Sequence, residues 1–246
     1  MRALITGASS GIGRKLAIEL ANKGYDLILI ARRIERLKEI QDMFNKQDIL
    51  IFQTDLLDQN QTKQLLIEIN TLKIDLWINN AGFGKVGVST SIDLQDEMDM
   101  IELNIKRLHH LTRFAIDHMT EGKIVNISSM ASYIPTPKLA SYAASKAYVT
   151  SYSEALNYEL KKQKKNIKVI TVSPGPVHTE FGKVAGSNQK LKSMPVEKCV
   201  HHILKGINKN KSTIIPGFKM KLLKFFIRFF PKKLILYTAY KIQSRK

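Results

Sequence analysis

Cysteine is almost absent. The chain of 246 residues holds one, Cys199, so no disulfide forms within it, which fits a reducing compartment. Long apolar runs are missing too. No stretch of about 18 apolar residues occurs, which argues against an ordinary membrane span. The N-terminal MRALITGASSGIG enters a strand at once and leaves no room for a cleavable leader, so a cytoplasmic setting is expected. Neither a repeat of fixed period nor a low-complexity linker interrupts the chain, and one domain is the simplest reading.

Acidic residues are missing from one end. From Lys198 to Lys246 there are thirteen Lys or Arg and no Asp or Glu. The whole chain carries +18, yet the first 197 residues account for only +5 of it. A uniformly basic protein would suggest nucleic acid. A basic tail on a near-neutral body points instead to a local surface: membrane, partner or acidic ligand.

Short, continuous apolar runs alternate with amphipathic segments. Strands are expected near 2–6, 25–31, 49–53, 74–79, 123–128, 167–172 and 212–216, and helices near 11–23, 33–46, 59–71, 95–119, 140–163 and 195–208. Strands that are apolar throughout, rather than alternating, are covered on both faces. The order predicts an α/β fold: a single-domain, doubly wound parallel sheet of about seven strands with helices on both faces. The domain is expected to span 1–217, followed by a basic amphipathic extension over 218–246.

Between the first strand and helix, TGASSGIG places Gly7, Gly11 and Gly13. Backbone can approach a phosphate there without a Cβ in the way, and the helix start offers free N–H groups and a positive dipole end. The bland alternative is a tight strand-to-helix connection. NAD-selective folds tend to end the second strand on an acid. Here it ends LILIARR, with Ala31 and then Arg32 and Arg33. Two guanidinium groups favour a 2′-phosphate, and hence NADP(H) over NAD(H), with Ser9 and Ser10 as added hydroxyl donors. The alternative is that both arginines simply open a solvated helix.

Three Tyr-x-x-x-Lys pairs occur, at Tyr142/Lys146, Tyr158/Lys162 and Tyr237/Lys241. In a helix this spacing sets both side chains on one face, but with eight tyrosines in a lysine-rich chain the pattern alone means little. It gains meaning from its company. TGASSGIG is followed in order by Asp55, NNAG at 79–82, Asn104, IVNISS at 124–129, Tyr142 and Lys146, and PGPVHT at 174–179. From residue 2 to about 216 the chain resembles the short-chain dehydrogenase/reductase family, with its Rossmann-type fold.

That resemblance implies roles residue by residue. Tyr142 is the acid/base, and Lys146 its partner, which also contacts the nicotinamide ribose. Ser129, thirteen residues before Tyr142, binds the substrate oxygen, with neighbouring Ser128 as the alternative. Asn104 anchors a water in a proton relay. Asp55 and Leu56 meet adenine; Asn80, Ala81 and Gly82 line adenosine and ribose; Ile12 belongs to the phosphate turn. Pro174, Gly175, Val177 and Thr179 lie along the nicotinamide. Ser132 stands where many members have glycine, with little effect expected on catalysis. A neighbouring ammonium is expected to lower the Tyr142 phenol from its ordinary value near 10. The substrate is then a small carbonyl or alcohol, and the resemblance implies a homodimer or homotetramer.

No histidine falls in a metal-ligand pattern: His109/His110 and His201/His202 are adjacent pairs that face apart on helices, so no metal is expected. The extension, GFKMKLLKFFIRFFPKKLILYTAYKIQSRK, sets a basic stripe on a broad aromatic face interrupted at Pro231. It suits a membrane interface, or equally a cap on a lipophilic substrate cleft or a subunit contact, rather than nucleic acid. A lid over 181–195 is expected to shape the pocket with it. The competing readings are a non-catalytic nucleotide-binding scaffold and a peripheral membrane module.

Overall fold

The structure, a computed structural model, describes residues 1–186 and 193–244. Seven strands form one parallel sheet: β1 (Arg2–Thr6), β2 (Asp26–Ala31), β3 (Ile49–Gln53), β4 (Leu76–Asn79), β5 (Glu121–Ile127), β6 (Asn166–Val172) and β7 (Thr213–Ile214). Their spatial order is β3-β2-β1-β4-β5-β6-β7. The winding reverses between β1 and β4, and a crevice opens above the strand ends there.

Among the described residues the helices are α1 (Gly11–Asn22), α2 (Ile34–Asp42), α3 (Gln59–Ile69), α4 (Leu94–Ile101), α5 (Leu108–His118), α6 (Ala140–Lys162), α7 (Phe181–Val184), α8 (Val196–Asn208), α9 (Phe218–Ile227) and α10 (Lys232–Gln243). The continuous apolar strands feed two cores, because successive side chains point to opposite faces. Leu27, Leu29 and Ala31 of β2 pack with α1, α2 and α8, while Ile28 and Ile30 pack with α3, α5 and α6. The expected doubly wound sheet, covered on both faces, is what the chain forms.

Three details differ from expectation. The helix expected over 95–119 is divided by a π-helical segment at Glu102–Arg107. The helix expected to reach residue 46 ends at Asp42, where turn hydrogen bonds from Met43 and Phe44 close it and Phe44 folds back against the core. The last strand keeps only Thr213 and Ile214 in the ladder.

Polar groups tie the strands together inside the second core. The Trp77 indole donates to Asn79 Oδ1 at 2.8 Å; Asn79 Nδ2 donates to Asn126 Oδ1 at 2.9 Å and Thr112 Oγ1 at 3.0 Å; Asn126 Nδ2 donates to Ser153 Oγ at 2.9 Å. All five residues are buried. A satisfied network of this kind fixes a unique strand and helix arrangement, whereas a broken one leaves dry orphan groups.

The first turn is the tightest place in the sheet. A Cβ on Gly13 would lie 2.4 Å from both Gly7 O and Asn80 Nδ2. Gly182 has nothing within 4 Å of the same position. We therefore expect Gly13→Ala to lower the unfolding free energy by about 1–3 kcal/mol, with Gly182→Ala close to neutral, as read from urea midpoints.

Candidate active site

The glycine turn is shaped from below by β4. Asn80 Nδ2 donates to Thr6 O at 3.0 Å and Gly7 O at 3.2 Å, and Thr6 Oγ1 accepts from the backbone N–H groups of Asn80 and Ala81, both at 3.0 Å. The Asn80 side chain is thus a staple for the turn. The N-cap of α1 is Ser10, whose side chain makes no capping hydrogen bond. Ile12 leans on the core while Gly13 is buried beneath the turn. A Cβ-free cradle under an uncapped helix start suits a pyrophosphate.

Ala31 is buried at the end of β2, and Arg32 and Arg33 reach outward. Arg32 lies 3.8 Å from an Asp55 oxygen. Arg33 Nη2 donates to Glu180 Oε2 at 3.0 Å and to Ser9 Oγ at 3.4 Å, so this guanidinium bridges the glycine turn and the segment after Thr179. Asp55 also accepts from Leu57 N–H at 3.0 Å. The Leu56 side chain is buried in the second core.

Ser128 and Ser129 separate cleanly. Ser128 is buried, donates to Lys146 O at 2.9 Å and shares a 2.7 Å bond with Thr150 Oγ1. Ser129 sits in extended backbone at φ −158° and opens a 3-10 turn, Met130–Tyr133, with its Oγ accepting from Ala131 N–H at 3.1 Å. Its hydroxyl also pulls the Tyr142 phenol downward, against the larger effect of burial. The Lys146 ammonium is buried, donates to Ile127 O at 2.9 Å, and lies 5.8 Å from the centre of the Tyr142 ring.

Gly82 makes room for this cluster. A Cβ there would stand 2.8 Å from Asn104 Oδ1 and 3.3 Å from Lys146 Nζ. Asn104, in the π-helical segment, accepts from Phe83 N–H at 3.2 Å and donates to Phe83 O at 2.9 Å and Ser145 Oγ at 3.1 Å. Its side-chain amide is therefore spent on holding the strand end. π-Helical bulges often occur at functional sites.

Burial sets the charges. It pushes the Tyr142 phenol up to about 12, against a smaller downward pull from the Ser129 hydrogen bond. It also draws the Lys146 ammonium down to about 8. The lowering of the phenol expected from Lys146 does not appear: burial raises the phenol, and the downward pull comes from Ser129. The result is a protonated phenol beside an easily discharged lysine.

At the far side, Pro174 O accepts from Met130 N–H at 2.8 Å, Val177 bridges to Met194, and Thr179 covers Gly11. Gly175 lies under the Met220 thioether of α9. The expected lid begins with α7, whose Phe181 ring sits 5.3 Å from that of Tyr142; residues 187–192 of that lid lie outside the described residues. Phe181, Ser145 and Thr6 were not legible as site residues, since each acts by a contact across the fold rather than by a motif. The Ser132 hydroxyl is buried with no hydrogen-bond partner among the described residues. Of the other tyrosine–lysine pairs, Tyr158/Lys162 lies near the far end of α6 and Tyr237/Lys241 in α10; neither reaches the crevice.

A parallel, doubly wound sheet with a glycine cradle at its switch point defines a dinucleotide-binding protein. A family model described as short chain dehydrogenase matches residues 1–190. The 11-beta-hydroxysteroid dehydrogenase-like 2 of Arabidopsis thaliana is 34% identical over 225 residues, covering 86% of this chain and 72% of its own. A short-chain dehydrogenase from Sphingobium yanoikuyae, solved in complex with NADPH, superposes with a TM-score of 0.83 at 29% identity over 93% of each chain. The bulky-bulky ketone specific alcohol dehydrogenase from Comamonas testosteroni gives 0.77 at 29% identity over 93% of this chain and 92% of its own. The chain belongs to the short-chain dehydrogenase/reductase family, NAD(P)-dependent oxidoreductases that act on alcohol and carbonyl groups.

The lysine offers a pH test. An unfolded lysine holds its proton to about 10.5, whereas buried Lys146 loses it from about 8. Between these values the unfolded chain binds more protons, so this group adds stability as pH rises and costs stability below pH 8. The Tyr142 phenol, at about 12, stays protonated across the window. We expect wild type to gain about 2–3 kcal/mol more than Lys146→Met between pH 8 and pH 10, measured as the difference between their urea unfolding curves.

Proposed function

We propose that this chain is an NADP(H)-dependent oxidoreductase that interconverts a lipophilic carbonyl and its alcohol, with Tyr142 as the acid/base. The observation that carries the reading is the meeting of Tyr142, Ser129 and Lys146 above the end of β5, beside the glycine cradle. The cradle's missing Cβ atoms and uncapped helix start fit a dinucleotide. When bound, a nicotinamide nucleotide supplies the hydride.

The residues divide the remaining work. Ser129 Oγ donates to the substrate oxygen as negative charge develops there. The phenol, kept protonated by burial, gives its proton to that oxygen in the reduction direction and takes it back in oxidation. Lys146, with its proton loosely held, sits close enough to stabilise the phenolate that remains. Asn104 holds Phe83 and Ser145 through its amide, so a water relay at this position would use its main-chain oxygen. Gly7, Ser9, Ser10, Gly11, Ile12 and Gly13 form the phosphate side. Asp55, Leu56 and Asn80 through Gly82 form the adenosine side, with Pro174, Gly175, Val177 and Thr179 along the nicotinamide.

Preference for a 2′-phosphate rests on Arg32 and Arg33, with Ala31 in the place of an acid. The Sphingobium enzyme's NADPH complex supports it by likeness. A lipophilic substrate is supported by Phe181 on Tyr142 and Met220 at Gly175, and by likeness to the ketone-specific Comamonas enzyme. The face of α5 and α6 carries His109, Tyr148 and Tyr152 in one stack, a surface suited to a homodimer or homotetramer. The domain then runs from 1 to 217, with 218–246 as an extension.

Two experiments test the reading. Tyr142→Phe should reduce NADPH oxidation with ketones by a factor of about 1,000 or more while NADPH binding, read by nucleotide fluorescence, changes by no more than a few-fold. Retained turnover would remove Tyr142 from the chemistry, and absence of nucleotide binding in wild type would sink the proposal. Replacing both Arg32 and Arg33 with Ala should raise the KM for NADPH by roughly 10- to 100-fold and leave that for NADH within a few-fold; equal effects on both would show that the arginines do not read the 2′-phosphate.

A further inference from the structure

The extension has two faces of different kinds. Inward, Met220 covers Gly175, the Lys224 ammonium lies 4.2 Å from the centre of the Tyr133 ring, and the Lys138 ammonium lies 5.2 Å from that of Tyr240. Ala239 is buried. These contacts seat α9 and α10 on the segments that carry Ser129, Tyr142 and Pro174. Outward, Phe225, Phe226, Phe229, Phe230, Leu234 and Tyr237 are between 47% and 66% exposed. Monomeric proteins rarely leave so many large apolar side chains uncovered together.

The charge around these side chains selects the occupant: Lys219, Lys221, Arg228, Lys232 and Lys233 are exposed, and the Arg228 guanidinium lies 4.8 Å from the centre of the Phe225 ring. Residues 218–246 hold nine Lys or Arg and no acid. Pairing this face with a second copy of itself would press like charges together as the aromatics met. A nucleic acid would use the charge but leave the leucines and most phenylalanines in water. An anionic bilayer uses both: headgroups take the lysines, and the aromatic rings enter the boundary with the acyl chains. With 10 and 12 residues, the helices are about 15 and 18 Å long. No helix among the described residues is long and apolar enough to cross a membrane, so this pair would lie flat in the interface.

We propose that the outer face of α9 and α10 docks on an anionic phospholipid surface, holding the Ser129–Tyr142 side of the cleft against the lipid. This does not depend on the catalytic reading. The test is co-sedimentation of the purified full chain with vesicles of phosphatidylcholine alone or mixed with phosphatidylserine. We expect binding to the mixed vesicles, weakening with salt, and little to phosphatidylcholine alone. Lys219→Gln, Lys221→Gln, Lys232→Gln and Lys233→Gln together should weaken it at least tenfold, and so should Phe229→Ser with Phe230→Ser. Both variants change exposed side chains, and both should keep wild-type turnover of a water-soluble aldehyde and an unchanged melting curve. Tyr142→Phe should bind vesicles like wild type, which separates failure of docking from failure of catalysis. Absence of wild-type binding, or equal binding by the phenylalanine variant, overturns the proposal. So does a finding that the chain binds an oligonucleotide but no vesicle, or that the phenylalanine variant only dissociates a larger species in light scattering.

Discussion

At Gly13 the chain has no space for one more carbon atom, and much of the site follows from that. The first turn of α1, the end of β1 and the end of β4 meet within van der Waals distance, with Asn80 bonded to two carbonyls of the turn. Because β1 and β4 are neighbours at the reversal of the winding, this contact sets the floor of the crevice. It brings NNAG beneath TGASSGIG, although the two lie more than sixty residues apart in the chain. A side chain at Gly13 would lift the turn and remove the phosphate cradle along with the packing.

A second close approach organises the chemistry. Gly82 admits Asn104 and Lys146 from two helices to one strand end. Asn104 satisfies both backbone groups of Phe83 and reaches Ser145 of α6, so the helix carrying Tyr142 and Lys146 is registered against the sheet by hydrogen bonds as well as by packing. The cost is desolvation of an ammonium and a phenol. The same burial that makes Lys146 a weak holder of its proton makes Tyr142 a firm holder of its own. A phenol held protonated in this way suits the proton-donor role proposed for it in carbonyl reduction.

The sheet was legible in the sequence because burial on both faces demands continuous apolar strands, and LILIA or IKVITV can hardly be read otherwise. The named site residues were legible because they cluster at strand ends in chain order. Other parts were hidden for physical reasons. Asn79, Thr112, Asn126 and Ser153 are polar types that mark surfaces more often than cores, yet they form a closed network beside Trp77. The π-helical turn leaves no mark in a 3.6-residue period, since it depends on what Asn104 must reach. Phe181 looks like any lid residue until its ring is found on Tyr142.

The extension shows what periodicity can and cannot decide. Its basic and aromatic content is plain from the letters, and a membrane interface, a cap and a subunit contact suit that content equally. The three-dimensional placement divides the content between two tasks. Met220 and Lys224, four residues apart, face inward onto Gly175 and Tyr133, while Phe225, Phe229 and Phe230 stay exposed. A simple cap would bury its aromatic face on the cleft and show its lysines to water. Here the inner contacts are the Met220 thioether, the Lys224 ammonium on Tyr133, the Tyr240 ring under Lys138 and buried Ala239, while several phenylalanines stay exposed. The contact with the cleft therefore leaves Phe225, Phe226, Phe229, Phe230, Leu234 and Tyr237 about half exposed or more.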